Sequence, residues 1–268
     1  MKKILITGAG SYIGQSFETY MKQQYAAEYT VDTVDMIDGS WREKSFAEYD
    51  TVFHVAGIAH QKETAENAPL YYKVNRDLAV ETAQKAKAEG VGQFVFLSSM
   101  SVYGVDEGVI EKDTVPHPKS NYGKSKLQAE TEIGKLSDEA FRVCILRPPM
   151  VYGDDCKGNY RALVKIAKTF PVLPHYKNQR SMISVDRLSG CVKLYIDTEA
   201  RGIFTPQNEA YVCTCEMIAQ IRRALGKKCR TTKIMNPMIR LSVKVTTKGR
   251  KAFGNLIYKE FDVLKPCE

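Results

Sequence analysis

Short apolar runs alternate along the first half of the chain with longer stretches in which apolar residues return every three or four positions. Lys3 to Thr7 is a strand-like run ending in glycines, and Ile13 to Gln24 has helical periodicity. Thr30 to Asp35 alternates Val with polar residues, Thr51 to Val55 predicts a further strand, and Leu70 to Glu89 is helical up to Gly90. Gln93 to Leu97 predicts a strand and Tyr122 to Leu136 a helix with charged residues outside. Phe141 to Leu146 predicts a strand stopped by Arg147-Pro148-Pro149. Strands alternating with helices imply an α/β fold with a parallel sheet covered on both faces. Right-handed crossovers wind such a sheet in both directions from its first strand.

Beyond Pro149 the pattern loosens. Asn159 to Thr169 is helical, Pro171 and Pro174 break the chain, and Ser181 to Val185 predicts a short strand. Asp186 is placed as the N-cap of a helix through Tyr195, and Cys215 to Leu225 as one more helix ended by Gly226. The remainder is basic and weakly patterned. The expected architecture is a Rossmann-type sheet domain over residues 1–158, with 182–205 packing back onto it. A small substrate lobe is expected from 159–181 and 206–268.

Composition narrows the picture. The chain has 268 residues with a net charge of +8, and from Arg201 onward there are 14 Lys/Arg against 5 Asp/Glu. The positive excess therefore belongs to the C-terminal quarter. A solvated surface is the default reading, an electrostatic funnel for an anionic substrate or a patch facing acidic lipid or nucleic acid the alternatives. No nucleic-acid-binding motif is present, and the basic C-terminus shows too little amphipathic order to favour a membrane surface. No apolar run is long enough to span a bilayer. The apolar stretch after Met1-Lys2-Lys3 is too short for a signal peptide, so a cytoplasmic protein is expected. Seven scattered cysteines and four histidines form no zinc spacing, so no metal site is expected.

Chemistry enters with Thr7-Gly8-Ala9-Gly10-Ser11-Tyr12-Ile13-Gly14, which follows a strand and opens a helix. Glycines are needed there where φ is positive or where a side chain would block a pyrophosphate. The helix start supplies N–H groups and the positive end of its dipole. Asp35 ends the second strand, 21 positions after Gly14, where a carboxylate can accept both adenosine ribose hydroxyls and would repel a 2′-phosphate. That favours NAD over NADP; Asp32 and Asp38 are nearby alternatives. Tyr122 and Lys126, at i and i+4, share a helix face, and Ser99 stands at a strand end 23 residues before the tyrosine. An ammonium near a phenol favours phenolate, so a lowered Tyr122 pKa is expected.

Six ordered segments together make the chain resemble the extended short-chain dehydrogenases, or NAD-dependent epimerase/dehydratases. They are the glycine loop, Phe53-His54-Val55-Ala56-Gly57, Val74-Asn75, Ser98-Ser99-Met100-Ser101-Val102-Tyr103-Gly104, Tyr122-Gly123-Lys124-Ser125-Lys126 and Arg147-Pro148-Pro149-Met150-Val151-Tyr152-Gly153. The resemblance covers residues 3 to about 190, with Ser11 in place of the family's middle glycine. It implies Ser99, Tyr122 and Lys126 as catalytic residues. It implies NAD contacts from Gly8, Gly10, Ser11, Tyr12, Ile13, Gly14, Asp35, Ala56, Gly57, Asn75, Ser98, Tyr122, Lys126, Pro148 and Val151. Asn75 takes a backbone-bridging role in that analogy. A nucleotide-diphosphate sugar would be met by Ser99, Ser101, Tyr122, Asn159 and Arg180, the last two from the Gly158-Asn159 and Asn178-to-Asp186 segments. A 4-epimerase is the reaction implied, a 4-keto-sugar reductase or a non-catalytic NAD-binding protein the alternatives. Met100 stands where the family's dehydratases place an acidic residue. The family commonly dimerises through a four-helix bundle and has a fuller C-terminal lobe; here about 70 residues follow the Asp186 helix.

Overall fold

The computed structural model describes residues 1–59, 61–154, 156 and 159–259. Six parallel strands make the main sheet: β1 (Lys2–Thr7), β2 (Tyr29–Val34), β3 (Thr51–His54), β4 (Gln93–Leu97), β6 (Arg142–Leu146) and β10 (Gly202–Phe204). Between and after them come β5 (Gly108–Ile110), β7 (Met150–Tyr152), β8 (Val172–Pro174), β9 (Met182–Ser184), β11 (Arg230–Thr232) and β12 (Leu256–Tyr258). The helices are α1 (Tyr12–Gln24), α2 (Ala68–Tyr72), α3 (Leu78–Ala88), α4 (Asn121–Gly134), α5 (Asn159–Thr169), α6 (Val185–Asp197), α7 (Thr214–Ala224), α8 (Asn236–Val245) and α9 (Thr247–Phe253).

The sheet runs in the order β2-β1-β3-β4-β6-β10. Its direction of growth reverses between β1 and β3, where open α/β sheets leave a crevice beyond the strand ends. Alternation along each strand sorts the core into two layers. Ile4, Ile6, Phe53, Val95, Cys144 and Leu146 face α1 and α6, meeting Phe17, Met21, Leu188 and Val192. Leu5, Val52, Phe94, Phe96, Val143 and Ile145 face α3 and α4, meeting Ala79, Ala83, Ala129 and Ile133. The alanines let those two helices lie close to the sheet.

The β2–β3 link holds only a 3₁₀ turn over Ser40–Arg42, in keeping with the absence of a helix between those two strands in the sequence pattern, and β2 is a sheet edge. Two expectations change. α6 starts earlier than Asp186: Ser184 is its N-cap, its hydroxyl accepting from the Arg187 amide, and Asp186 sits in the first turn, favourable to the helix dipole. The basic tail is structured as β11, α8, α9 and β12, not weakly patterned. A separate apolar cluster, Leu163, Ala167, Leu173, Met182, Met217, Ile218 and Ala219, joins α5, α7, β8 and β9 beyond the sheet. Among the described residues no helix is long and apolar enough to cross a membrane, and no three His, Cys, Asp or Glu gather as a metal site.

Candidate active site

The glycine loop leaves β1 where its strand pairing ends. The amides of Gly8 and Ala9 both donate to the Val34 carbonyl, at 2.9 and 3.0 Å, which ties the loop to the end of β2. Gly8 holds φ +114°, and a Cβ there would lie 2.7 Å from the Ala56 nitrogen. Gly10 also has positive φ, +79°, with no atom within 4 Å of where a Cβ would project, so a ligand can close on the backbone there. Ser11 is extended, with φ −70°, and caps α1 by accepting from the Gly14 amide; that geometry needs no glycine. The first-turn amides of α1, which begins with Tyr12 and Ile13, have no carbonyl to meet inside their own helix. This cradle fits the pyrophosphate of a dinucleotide. Asp35 follows β2 directly, its carboxylate exposed and accepting the Ile37 amide. Asp32 accepts from the Tyr49 hydroxyl and Asp38 from Ser40, so both alternatives are engaged elsewhere.

At the end of β3, the Val55 and Ala56 amides donate to the Thr7 carbonyl and lead the chain to Gly57. A side chain at Gly57 would press on Asn75 Oδ1 at 2.9 Å and sit 3.4 Å from Lys126 Nζ. Asn75 lies fully buried in a π-helical turn, Lys73–Asp77, that joins α2 to α3. Its amide brackets the Ile58 backbone, accepting from N at 2.8 Å and donating to O at 3.1 Å, and donates to Ser125 Oγ. These bonds make Asn75 a brace for the 57–58 loop. π turns of this kind recur at functional sites.

β4 delivers Ser98 and Ser99 in opposite directions. Ser98 turns inward, its hydroxyl donating to Glu130, so it is occupied within the core. Ser99 caps the 3₁₀ turn Met100–Tyr103; its oxygen accepts from the Ser101 amide at 3.1 Å and lies 3.2 Å from Ser101 Oγ. Gly104 ends that turn at φ +67°, where a Cβ would lie 2.0 Å from the His117 carbonyl oxygen. The Pro148 carbonyl accepts from the Met100 amide, fixing this turn to the chain after β6. Val151, in β7, packs half-buried against the α1/α6 core.

α4 presents the remaining groups. Its start is capped twice: Ser120 Oγ accepts the Gly123 amide, and the Glu63 carboxylate accepts the amides of Asn121 and Tyr122. Gly123 permits close approach to the serine turn, since a Cβ would lie 2.6 Å from the Ser101 carbonyl oxygen. This packing brings Tyr122 to the side of Ser99, whose hydroxyl acts to lower the phenol's pKa. One turn on, Lys126 is buried, donates to the Leu97 carbonyl at 2.8 Å and stands 4.6 Å from the Phe96 ring centre. Burial pulls its pKa down to about 8, with Glu130 opposing. A further turn along, Glu130 receives a forked contact from Arg147 Nε and Nη2, with Nη2 at 2.6 Å, and Arg147 Nη1 donates to the Tyr103 hydroxyl. Burial opposes the Arg147 charge, and Glu130 and Tyr103 more than restore it, so its pKa is raised.

One expectation is overturned by this geometry. Burial pushes the Tyr122 phenol up, Ser99 alone pulling it back and Tyr71 adding to the rise. Lys126 shares the helix face but spends its ammonium on Leu97. His54, behind it, is fully buried between Phe94 and Phe96, with Thr7 Oγ1 2.8 Å from Nδ1. Burial and the Lys126 charge hold its pKa down to about 3, so the ring is neutral.

On the substrate side, Arg180 Nη1 donates to the carbonyls of Gly254 (2.9 Å) and Arg250 (3.4 Å) at the end of α9. Burial lowers its pKa, opposed by Asp106. Asn159 opens α5; its side chain and Gly158 lie outside the described residues. Glu63 and Glu130 were absent from the sequence reading. Glu130 could have been found at i+4 from Lys126, whereas Glu63 sits in an unpatterned loop that carries no signal.

A cradle after β1, a carboxylate at the end of β2 and a serine–tyrosine–lysine group at the ends of β4 and α4 are the parts that the comparisons now relate. The profile of the NAD dependent epimerase/dehydratase family matches residues 4–170. The chain belongs to that family. UDP-glucose 4-epimerase of Vibrio cholerae is 30% identical over 253 residues, covering 84% of this chain and 76% of the epimerase. The N-acetyl-alpha-D-glucosaminyl-diphospho-ditrans,octacis-undecaprenol 4-epimerase of Escherichia coli O157:H7 is 23% identical, over 88% of this chain and 76% of its own length. Among solved structures, a dTDP-4-dehydrorhamnose reductase of Clostridium acetobutylicum superposes with a TM-score of 0.70 at 22% identity, covering 94% of this chain and 98% of the reductase. The family members are NAD-dependent enzymes of sugar epimerisation, dehydration and reduction, and the relatives span epimerases and reductases alike.

Proposed function

We propose that this family member is a nucleotide-sugar 4-epimerase acting by transient oxidation at C4. The observation that carries the reading is the gathering of Ser99, at the end of β4, and Tyr122, in the first turn of α4 where Gly123 packs against the Ser101 carbonyl, with Lys126 one turn behind them. NAD, when bound, supplies a reversible hydride acceptor. In this reading residues 1–158 with 182–205 hold the cofactor, and 159–181 with 206–268 cover the sugar nucleotide. Gly8, Gly10, Ser11, Tyr12, Ile13 and Gly14 accommodate the pyrophosphate, and Asp35 takes the adenosine ribose. Ala56, Gly57, Pro148 and Val151 shape the walls.

Tyr122 takes the C4 hydroxyl proton while the C4 hydride departs, and returns it after the 4-keto sugar has turned over in the pocket. Ser99 holds the reacting oxygen, with Ser101 beside it. The protein alone keeps the phenol protonated. The lowering that proton transfer requires therefore comes from Ser99 and from the positive charges brought together in the loaded site. Lys126 holds the nicotinamide ribose. Arg180, with Asn159, meets the diphosphate using the donors that α9 leaves uncommitted. A homodimer in which two helices of each subunit form the contact belongs to the same reading.

The test is direct. Ligands released from the purified protein should include NAD by mass spectrometry, and UDP-glucose should convert to UDP-galactose without added cofactor. Oxidation of NADH or NADPH in proportion to product would replace the epimerase with a 4-keto-sugar reductase. No turnover of any nucleotide sugar by the parent protein, or unchanged turnover in Tyr122→Phe, would remove the enzymatic role assigned to these residues.

A further inference from the structure

Between Met217 and Lys259 the chain carries twelve Lys/Arg and no Asp/Glu. α8 lies in the middle of that stretch. It is anchored through Ile239, which is 4% exposed. α9 folds back tightly upon it, because Gly249 has no Cβ to strike the Ser242 carbonyl oxygen 2.2 Å away. The outward face is apolar. Met238, Leu241 and Val245 stand at i, i+3 and i+7, the spacing of one helix face, and are 62%, 60% and 65% exposed. Ile234, in the turn before the helix, is 88% exposed.

Lys233, Arg240 and Lys244 flank this stripe at helical spacing, and Lys248 follows at the start of α9. None of these four makes an ion pair with a described residue, whereas Lys251 pairs with Asp106 and Lys259 with Glu111. Whatever covers the stripe must be apolar opposite the three aliphatic side chains and anionic beside them. A second copy meets the first condition and fails the other, since a two-fold contact would bring both sets of cations together. A bilayer with acidic headgroups meets both.

We propose that α8 is a membrane-docking helix that lies in the headgroup plane of an anionic lipid surface. Ile234, Met238, Leu241 and Val245 enter the acyl boundary, and Lys233, Arg240, Lys244 and Lys248 sit against lipid phosphates. The association is peripheral. It rests on this face alone and does not depend on the reaction assigned above. Because Arg180 grips the end of α9, the docked hairpin is continuous with the lobe proposed to hold the diphosphate.

Sedimentation of the full chain with vesicles tests it. The protein should pellet with phosphatidylglycerol vesicles and stay in solution with phosphatidylcholine vesicles, and added salt should release it. Met238→Ser with Leu241→Ser keeps every charge and should drop pelleting to the phosphatidylcholine level, with an unchanged thermal melt. Arg240→Glu with Lys244→Glu should do the same while leaving the apolar face intact. Pelleting that survives the serine changes would show charge alone at work and overturn docking by α8, as would failure of the parent to pellet. A concentration-dependent dimer abolished by those serine changes would assign the face to a second copy instead.

Discussion

α4 and α8 depart from the ordinary surface helix in opposite directions. A helix at a protein surface turns its apolar side in and its polar side out. α4 buries Ser125, Lys126 and Glu130, and each has partners: Lys126 the Leu97 carbonyl, Glu130 both Arg147 and Ser98. α8 turns Met238, Leu241 and Val245 outward, uncovered by the described residues. Burying charge costs free energy that only close partners offset, and exposing aliphatic surface forfeits burial that folding would otherwise gain. Each departure therefore marks a demand made from outside the fold. For α4 the demand is chemistry in a water-poor crevice; for α8 it is a surface to rest on.

Substitutions can break this contrast, and the largest effect falls on α4. Tyr122→Phe should lower turnover by roughly 10²–10⁴-fold in a coupled epimerase assay, while the melting temperature stays near that of the parent. Glu130→Ala strands the Arg147 guanidinium in the core and should cost about 3–5 kcal/mol in urea denaturation. Glu130→Gln should recover part of that loss.

Lys126 adds a pH signature. Its folded pKa, about 8, lies below the usual 10.5, so the unfolded chain binds the extra proton between those values. The lysine's penalty on folding is thus full below pH 8 and fades as pH rises to 10.5. Any stability advantage of Lys126→Met over the parent should shrink across that window, as followed by denaturation at stepped pH. An advantage that grows would contradict a buried ammonium.

Gly123→Ala sets two effects against each other. Helix propensity favours alanine by about 1 kcal/mol, while crowding the Ser101 carbonyl costs about 1–3 kcal/mol. Net destabilisation with reduced turnover is expected, measured by thermal melts and assay together. Leu241→Ser on α8 should change stability by no more than about 0.5 kcal/mol, since its side chain already meets solvent. A drop well beyond that would show the stripe to be buried by something the protein carries with it.

The sequence made α4 far more legible than α8. Tyr122, Lys126 and Ser99 stand in motifs whose spacing is local, and the glycine loop announces itself by where it falls between strand and helix. Five of the six main strands follow from apolar runs in the sequence, whereas β10, three residues long over Gly202–Phe204, is too short to have shown one. Less visible was the direction of long side chains. The i, i+4 spacing puts Lys126 on the face of Tyr122, yet its four-carbon stem carries the ammonium on to Leu97, so the expected lowering of the phenol does not come from it. Ser98 and Ser99 are neighbours in sequence, and strand alternation sends only one outward. α8 stayed hidden because its stripe is brief, is set among cations and begins at Asn236-Pro237 without a side-chain cap.

The π turn at Lys73–Asp77 carries a last consequence. Such a turn holds one more residue than the helix on either side can use, and the surplus rotates everything after it by about a quarter of a circle. Excising a single residue there would yield one regular α-helix through the segment. It would also swing the Asn75 amide off the Ile58 backbone and loosen the strip of chain that passes Lys126. The π turn is a phase correction between two requirements: alanines seated on the sheet and an amide aimed at a loop.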